Sequence, residues 1–415
     1  MMRLMLFTAG FCLISAGPVQ AATGRLVIAG GAVARTNADV HGSFIARLGD
    51  AGRVAVIPAA SGEPAQSARS YVETLVGIGV PADRIDIVRL AVVDDAATPG
   101  DDESSWARNA AVPQEIAKVE RAEAIWFTGG DQARITAALM RPNGGETPML
   151  AAVRARLAAG ATVGGTSAGA AVMSLVMIAR GDSLAALTRP LLTGDVSDST
   201  MDGGPLMLAS GLGFFPNGIV DQHFDRKARL GRLTRALAEQ GPEQRIGFGV
   251  DEDTALVVDL VAQTAVVVGV GGVTVLDARN ARHSLRRDRL SISGVLLSHL
   301  APGDRIELAP QTITPAANRT RIERGGGYYT HEAQSGAGMA VPNPALEDAL
   351  GVELLDNRSS ERLERVSFDA TGAGVRFVFS ETPESWGAYG GERYTINRVL
   401  FAIEPVRVQV RRIGQ

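Results

Sequence analysis

The sequence predicts an α/β protein: a mainly parallel sheet flanked by helices and carrying a nucleophile elbow, followed by a small β-rich domain. Three observations predict it. Up to about residue 280, short β-branched runs alternate with alanine-rich segments of helix length, the order that builds parallel βαβ units. Several of these runs finish on paired glycines, Gly30-Gly31, Gly129-Gly130 and Gly164-Gly165, at the strand ends where open α/β sheets collect their ligands. Beyond residue 280 the pattern changes to alternating polar and apolar stretches such as "GVRFVFS" and "YTINRVLFAIEPVRVQV", which suit half-exposed antiparallel strands.

In chain order, "MMRLMLFTAGFCLISAGPVQAA" places Arg3 before an apolar run and ends on Val19-Gln20-Ala21. Residues 1–21 are therefore expected to be a signal peptide, and the protein to be exported to the periplasm or the medium. No later stretch has the length of a membrane span. Cys12 is the only cysteine, so a mature chain would have no disulfide, no cysteine nucleophile and no thiolate metal site. The 415 residues, 46% of them hydrophobic, exceed the usual size of one domain. Two units are expected, 22–280 and 281–415. A net charge of −4 provides no broad basic field, so nucleic acid and anionic membranes are poor candidates for partners.

"RLVIAGG", "RVAVIPAASG", "RIDIVRL" and "AIWFTGG" are continuous apolar runs, as expected for strands covered on both faces. "TAVVVGVGGVTVLDA" adds one or two more near 264–278. The glycine run Gly325 to Gly327 in the tail reads as a tight turn.

Gly165-Thr166-Ser167-Ala168-Gly169 lies between a strand-like "ATV" and a helix-like "AAVMSLVMIA", the context of a G-x-S-x-G nucleophile elbow. Small neighbours permit a strained turn that presents the Ser167 hydroxyl above the sheet. The Ala168 amide at the start of the helix, with Gly130 on the neighbouring strand end, would hold an oxyanion. A phosphate cradle or tight packing is the competing reading of such a turn.

A serine nucleophile needs a base. Of the five histidines, His223 follows a strand-like run at the same sheet edge. Asp182, shortly after the elbow helix, is assigned as the acid that orients it, with Asp221 as the competitor two residues before His223. A helix after His223 would gather Arg226, Arg229 and Arg232 on one face, a set able to bind a carboxylate. No metal or organic cofactor is called for.

Together "FTGGDQ", "GGTSAGAAVMS", "DQHF" followed by "RKARLGRL", and "GFGVDEDTAL" resemble the cyanophycinases, serine exopeptidases of the family that also includes aspartyl dipeptidases. The resemblance covers roughly residues 24 to 280. It implies hydrolysis of cyanophycin, a poly-aspartate bearing arginine on each side-chain carboxyl, to β-aspartyl-arginine. It also implies Ser167 as nucleophile, His223 as base, and Gln132 with the arginine segment as substrate contacts. Asp131 and Gln222, next to Gln132 and His223 in the chain, are further candidate contacts. Asp131, Asp225 and Glu252 are candidates for the substrate guanidinium, although Asp251 and Glu252 read first as partners of backbone or neighbouring arginines. Lys227 stands where the family's first arginine is expected. The stretch "GDVSDSTMDGGP", Gly194 to Pro205, is long, and either forms a lid or obscures which acid completes the triad. The tail beyond 280 has no counterpart in the family core. Two other functions stay open, an aspartyl dipeptidase of the same family and a noncatalytic polymer-binding protein, and so does a homodimer.

Overall fold

The computed structural model describes residues 23–98, 100–193, 202–333 and 345–409. The expected signal peptide, and residues 194–201 of the expected lid, lie outside them.

Among the described residues, nine strands form the first sheet. Its parallel half runs, from one edge, Ile85–Ile87, Val54–Ile57, Ala124–Phe127, Thr162–Thr166 and Arg25–Ala29. Antiparallel strands Thr254–Asp259, Thr264–Gly269, Arg305–Glu307 and Ile313–Thr314 continue it. The apolar runs are continuous because both faces are covered. Leu26 and Ile28 enter one core while Val27 and Ala29 enter another, the period-two alternation of a strand. On the second face lie the helices Ala38–Ile45 and Pro64–Gly77, packed through Phe44 and Leu75.

A second sheet begins Ile219–Asp221, Ile246–Val250, Val273–Asp277, Arg289–Leu300 and Arg393–Arg407. Phe248, Val250, Val273 and Val275 of this sheet share a core with Leu26, Ile28, Phe127 and Val163 of the first. Its other face packs on the helices Ser183–Thr188 and Leu230–Ala238 through Leu187, Leu233 and Leu237. "TAVVVGVGGVTVLDA" is thus two strands in two sheets, parted at Gly271-Gly272.

The region beyond 280 is β-rich, but residue 280 is not a break in the fold. Val273–Asp277 pairs with Arg289–Leu300 in unbroken register, Val273 opposite Leu300 and Asp277 opposite Leu296. The buried strand at 273 would otherwise leave a row of unpaired backbone groups. Gly325 to Gly327 form a turn, with the Gly326 amide donating to the Glu323 carbonyl at 2.8 Å. Among the described residues no helix is long and apolar enough to cross a membrane.

Candidate active site

Ser167 closes the strand Thr162–Thr166 and caps the short helix Ala168–Ala171 with φ +53°, ψ −110°. A positive φ strains a residue with a side chain. The turn persists because its neighbours are small. A Cβ on Gly165 would lie 2.6 Å from the Gly169 carbonyl oxygen, and one on Gly169 2.5 Å from that of Phe127. The Ser167 amide is tied to the Ala29 carbonyl at 3.0 Å, so the elbow hangs on the adjacent parallel strand.

His223 stands just past Ile219–Asp221 in the second sheet, also at positive φ, +46°. Its amide donates to the Gly30 carbonyl at 2.7 Å, and its ring lies against Gly31, where a Cβ would meet Cε1 at 2.3 Å. The next residue, Phe224, is buried in the space left by Gly249. The glycine pair after the first strand is therefore the seat of the imidazole. The two sheets meet so that Ser167 Oγ is 2.9 Å from His223 Nε2.

The carboxylate on the far side of the ring is Glu252, whose Oε1 is 2.6 Å from His223 Nδ1. It follows the strand Ile246–Val250, which pairs in parallel with the strand Ile219–Asp221 that His223 follows. Asp182, the acid expected from sequence, is elsewhere: it caps the helix Ser183–Thr188, accepting from the amides of Ala185 at 2.8 Å and Gly204 at 2.7 Å. Asp221 is engaged by the helix Leu230–Ala238 and forms a buried two-bond ion pair with Arg232, at 2.5 and 2.8 Å. The sequence offers Glu252 as a partner of the substrate guanidinium, of backbone or of neighbouring arginines, and not as the acid. Its signal was available, a carboxylate just past a strand at the edge that bears His223, but the strand order is not local information.

The arginine set divides. The helix begins at Leu230, and the chain before it is a turn with Ala228 at φ +50°, so Arg226 is not on a common face with the others. Arg226 is exposed and lines a separate cavity of about 560 Å³ beside Phe377 and Phe379. Arg229 is buried, donating to the Gln222 carbonyl at 2.5 Å and to Asp202 at 2.6 Å. Arg232 is engaged by Asp221 and the Gly181 carbonyl. These buried guanidinium groups are committed to internal acceptors, because an unpaired buried charge would be costly.

A cleft of about 280 Å³ opens at Ser167. Gly130, Asp131, Gln132, Gln222, Lys227 and the edge of Arg232 line it, joined by Asp202 and Arg134, which the sequence did not single out. Arg134 lies one short step along the helix that Asp131 caps. Gly130, at φ +140°, sits where a Cβ would be 2.1 Å from the Ala60 carbonyl oxygen. Gln132 donates to the carbonyls of Ile178 and Ala179 at 3.0 and 2.7 Å. Gln222 Oε1 is 3.4 Å from Ser167 Oγ. Asp225 is outside this cleft, in the wall of the larger cavity.

Burial pushes the His223 imidazole below the usual histidine range; the Glu252 bond opposes this, and the Lys227 and Arg229 cations add to it. A neutral imidazole facing a serine is ready to accept its proton.

A strained serine bonded to a histidine that is bonded in turn to a carboxylate is the relay of a serine hydrolase, and the chain is a serine-type peptidase. Residues 105–262 match the profile of Peptidase family S51. The chain is 33% identical over 312 residues to a protein of Trichormus variabilis named cyanophycinase, covering 72% of this chain and 91% of that one. To the cyanophycinase of Synechococcus elongatus it is 35% identical over 257 residues, covering 60% and 68%. A peptidase from an acI-B1 Actinobacterium superposes with a TM-score of 0.43 at 19% identity, over 72% of this chain and 96% of that one. The chain belongs to peptidase family S51, among its cyanophycinase-like members.

Proposed function

We propose that this protein is an exported exopeptidase that hydrolyses cyanophycin to β-aspartyl-arginine through Ser167, His223 and Glu252. The observation that carries the reading is the continuous Ser167–His223–Glu252 relay at the mouth of a cleft lined by both cations and carboxylates. The likeness to proteins named cyanophycinase supports the substrate.

His223 Nε2 takes the Ser167 proton as Oγ attacks the scissile carbonyl, while Glu252 holds the Nδ1–H tautomer and stabilises the imidazolium. The Ala168 amide, first in its helix, and the Gly130 amide supply the oxyanion donors. His223 then protonates the departing amine of the terminal unit. Water attacks the acyl-enzyme with His223 again as base.

The departing β-aspartyl-arginine carries a free carboxylate and a guanidinium. Lys227, whose ion pair with Asp202 is open to solvent, and half-buried Arg134 are the cleft cations suited to the first, because Arg229 and Arg232 are buried against their partners. Asp131 and Asp202 are the carboxylates suited to the second. The apolar leader at residues 1–21 supports export.

The test is the full-length gene product, recovered from periplasm or medium, incubated with purified cyanophycin beside Ser167→Ala, with products resolved by mass. Wild type is expected to start after Ala21 and to release β-aspartyl-arginine, and Ser167→Ala to release none. Intact polymer with wild type, alongside cleaved aspartyl dipeptides, would replace the substrate but retain the relay.

A further inference from the structure

We infer that the C-terminal region supplies positioning residues for catalysis: Glu347, Arg393 and the Leu346 amide hold the loops that carry His223 and Glu252. This rests on the relay proposed above, and none of the three residues touches it.

The short helix Leu346–Leu350 reaches the catalytic loops by two routes. In the first, the Leu346 amide donates to the Asp225 carboxylate at 3.1 Å. Asp225 is two residues past the base, and its own amide donates to Asp251 at 3.1 Å. Asp251 immediately precedes Glu252. The loop of the base and the loop of the acid are thus joined to each other and to the tail.

The second route runs through Glu347. Its carboxylate accepts from Arg393 Nε at 3.0 Å and Nη2 at 2.6 Å, and from the Tyr394 amide at 2.6 Å. Buried His299 faces it at 3.6 Å. With two donors thus used, Arg393 Nη1 donates to the Val270 carbonyl, in the turn that separates the two sheets. That turn grips the acid loop. The Gly272 amide donates to Asp251 at 2.9 Å, and the Gly271 amide to Thr254 Oγ1 at 2.7 Å. Thr254 Oγ1 donates in turn to the Glu252 carbonyl at 2.8 Å. There is little slack, since a Cβ on Gly272 would lie 2.2 Å from His299 Nε2.

A side chain 31% exposed, as Glu252 is, is held less by packing than by the backbone beneath it. The 2.6 Å bond to Nδ1 therefore depends on that backbone, and a displacement near 1 Å costs on the order of 10²-fold in rate. Charged groups facing His223 are Glu252, Lys227 and Arg229. Loosening Glu252 weakens the one that favours the imidazolium, so the pH at which the base becomes neutral falls.

The experiment measures the rate at which a fluorophosphonate labels Ser167 as a function of pH, in the full chain, for wild type, Glu347→Gln and Asp225→Ala. Thermal midpoints are recorded alongside, with Ser167→Ala as blank. Glu347→Gln is expected to label about 10- to 100-fold more slowly, with its acid limb moved to lower pH; Asp225→Ala shifts both in the same direction by less. Wild-type labelling with an unmoved limb, whatever the change in midpoint, overturns the inference. If Glu347→Gln does not fold, a wild-type rate and limb in Asp225→Ala overturns it equally. Labelling that survives in Ser167→Ala would instead refute the relay itself, and needs no assumption about substrate.

Discussion

Replacing Glu252 by glutamine removes one charge from the relay and little volume. At 2.6 Å the carboxylate accepts the hydrogen bond of His223 Nδ1–H, and its value to catalysis is its attraction for the imidazolium that forms as Ser167 attacks. With charge centres about 4 Å apart and an effective dielectric near 20, suited to a pair partly open to water, that attraction is about 4 kcal/mol, or close to three decades in rate. The glutamine amide can also present a donor to Nδ1 and select the wrong tautomer. The assay is kcat on the cleaved substrate with kcat/KM measured in parallel, since an interaction made only in the transition state lowers both equally. Asp182→Ala is the matched control. It removes a helix cap and is expected to cost about 1 kcal/mol of stability, with kcat near wild type. A Glu252→Gln enzyme within tenfold of wild type would refute Glu252 as the third member. A thousandfold loss in folded Asp182→Ala would restore the acid that sequence alone suggested.

Two further outcomes follow from the charges around the cleft. Activity requires neutral His223, so kcat/KM should rise with pH through a limb lying below 6.5, the ordinary histidine value, because burial disfavours the imidazolium; Lys227→Gln removes a cation that adds to this, so the limb should move to higher pH, and an unmoved or lowered limb in a pH–rate profile contradicts the electrostatics. Arg232→Ala leaves buried Asp221 with Arg229 at 3.7 Å as its remaining cation and should cost up to about 3 kcal/mol in denaturant unfolding, the lower end for a broken buried pair, whereas unchanged stability with a raised KM would make Arg232 a substrate contact instead.

The elbow was legible because every determinant is within a few residues: Gly165 and Gly169 permit the close approach of strand and helix, and Ser167 has nowhere to go but the turn between them. His223 was legible for a related reason, since a strand end in an α/β chain has a defined edge. The same logic failed for the arginines. Helical periodicity placed Arg226, Arg229 and Arg232 on one face, but the turn at Ala228 resets the phase before the helix starts at Leu230.

The sequence by itself determined the layered α/β core, the strained serine, the histidine and the family, because each rests on local periodicity, turn chemistry or motif order. Only the tertiary structure showed which carboxylate meets the imidazole and how the tail joins the sheets. Asp182 is nearer in the chain to the elbow, yet its carboxylate is consumed by two backbone amides, while Glu252 reaches the imidazole because its strand lies parallel to that of His223. The tail, likewise, extends the sheet that bears both residues, and hydrogen-bonded edges must find partners wherever in the chain those partners lie.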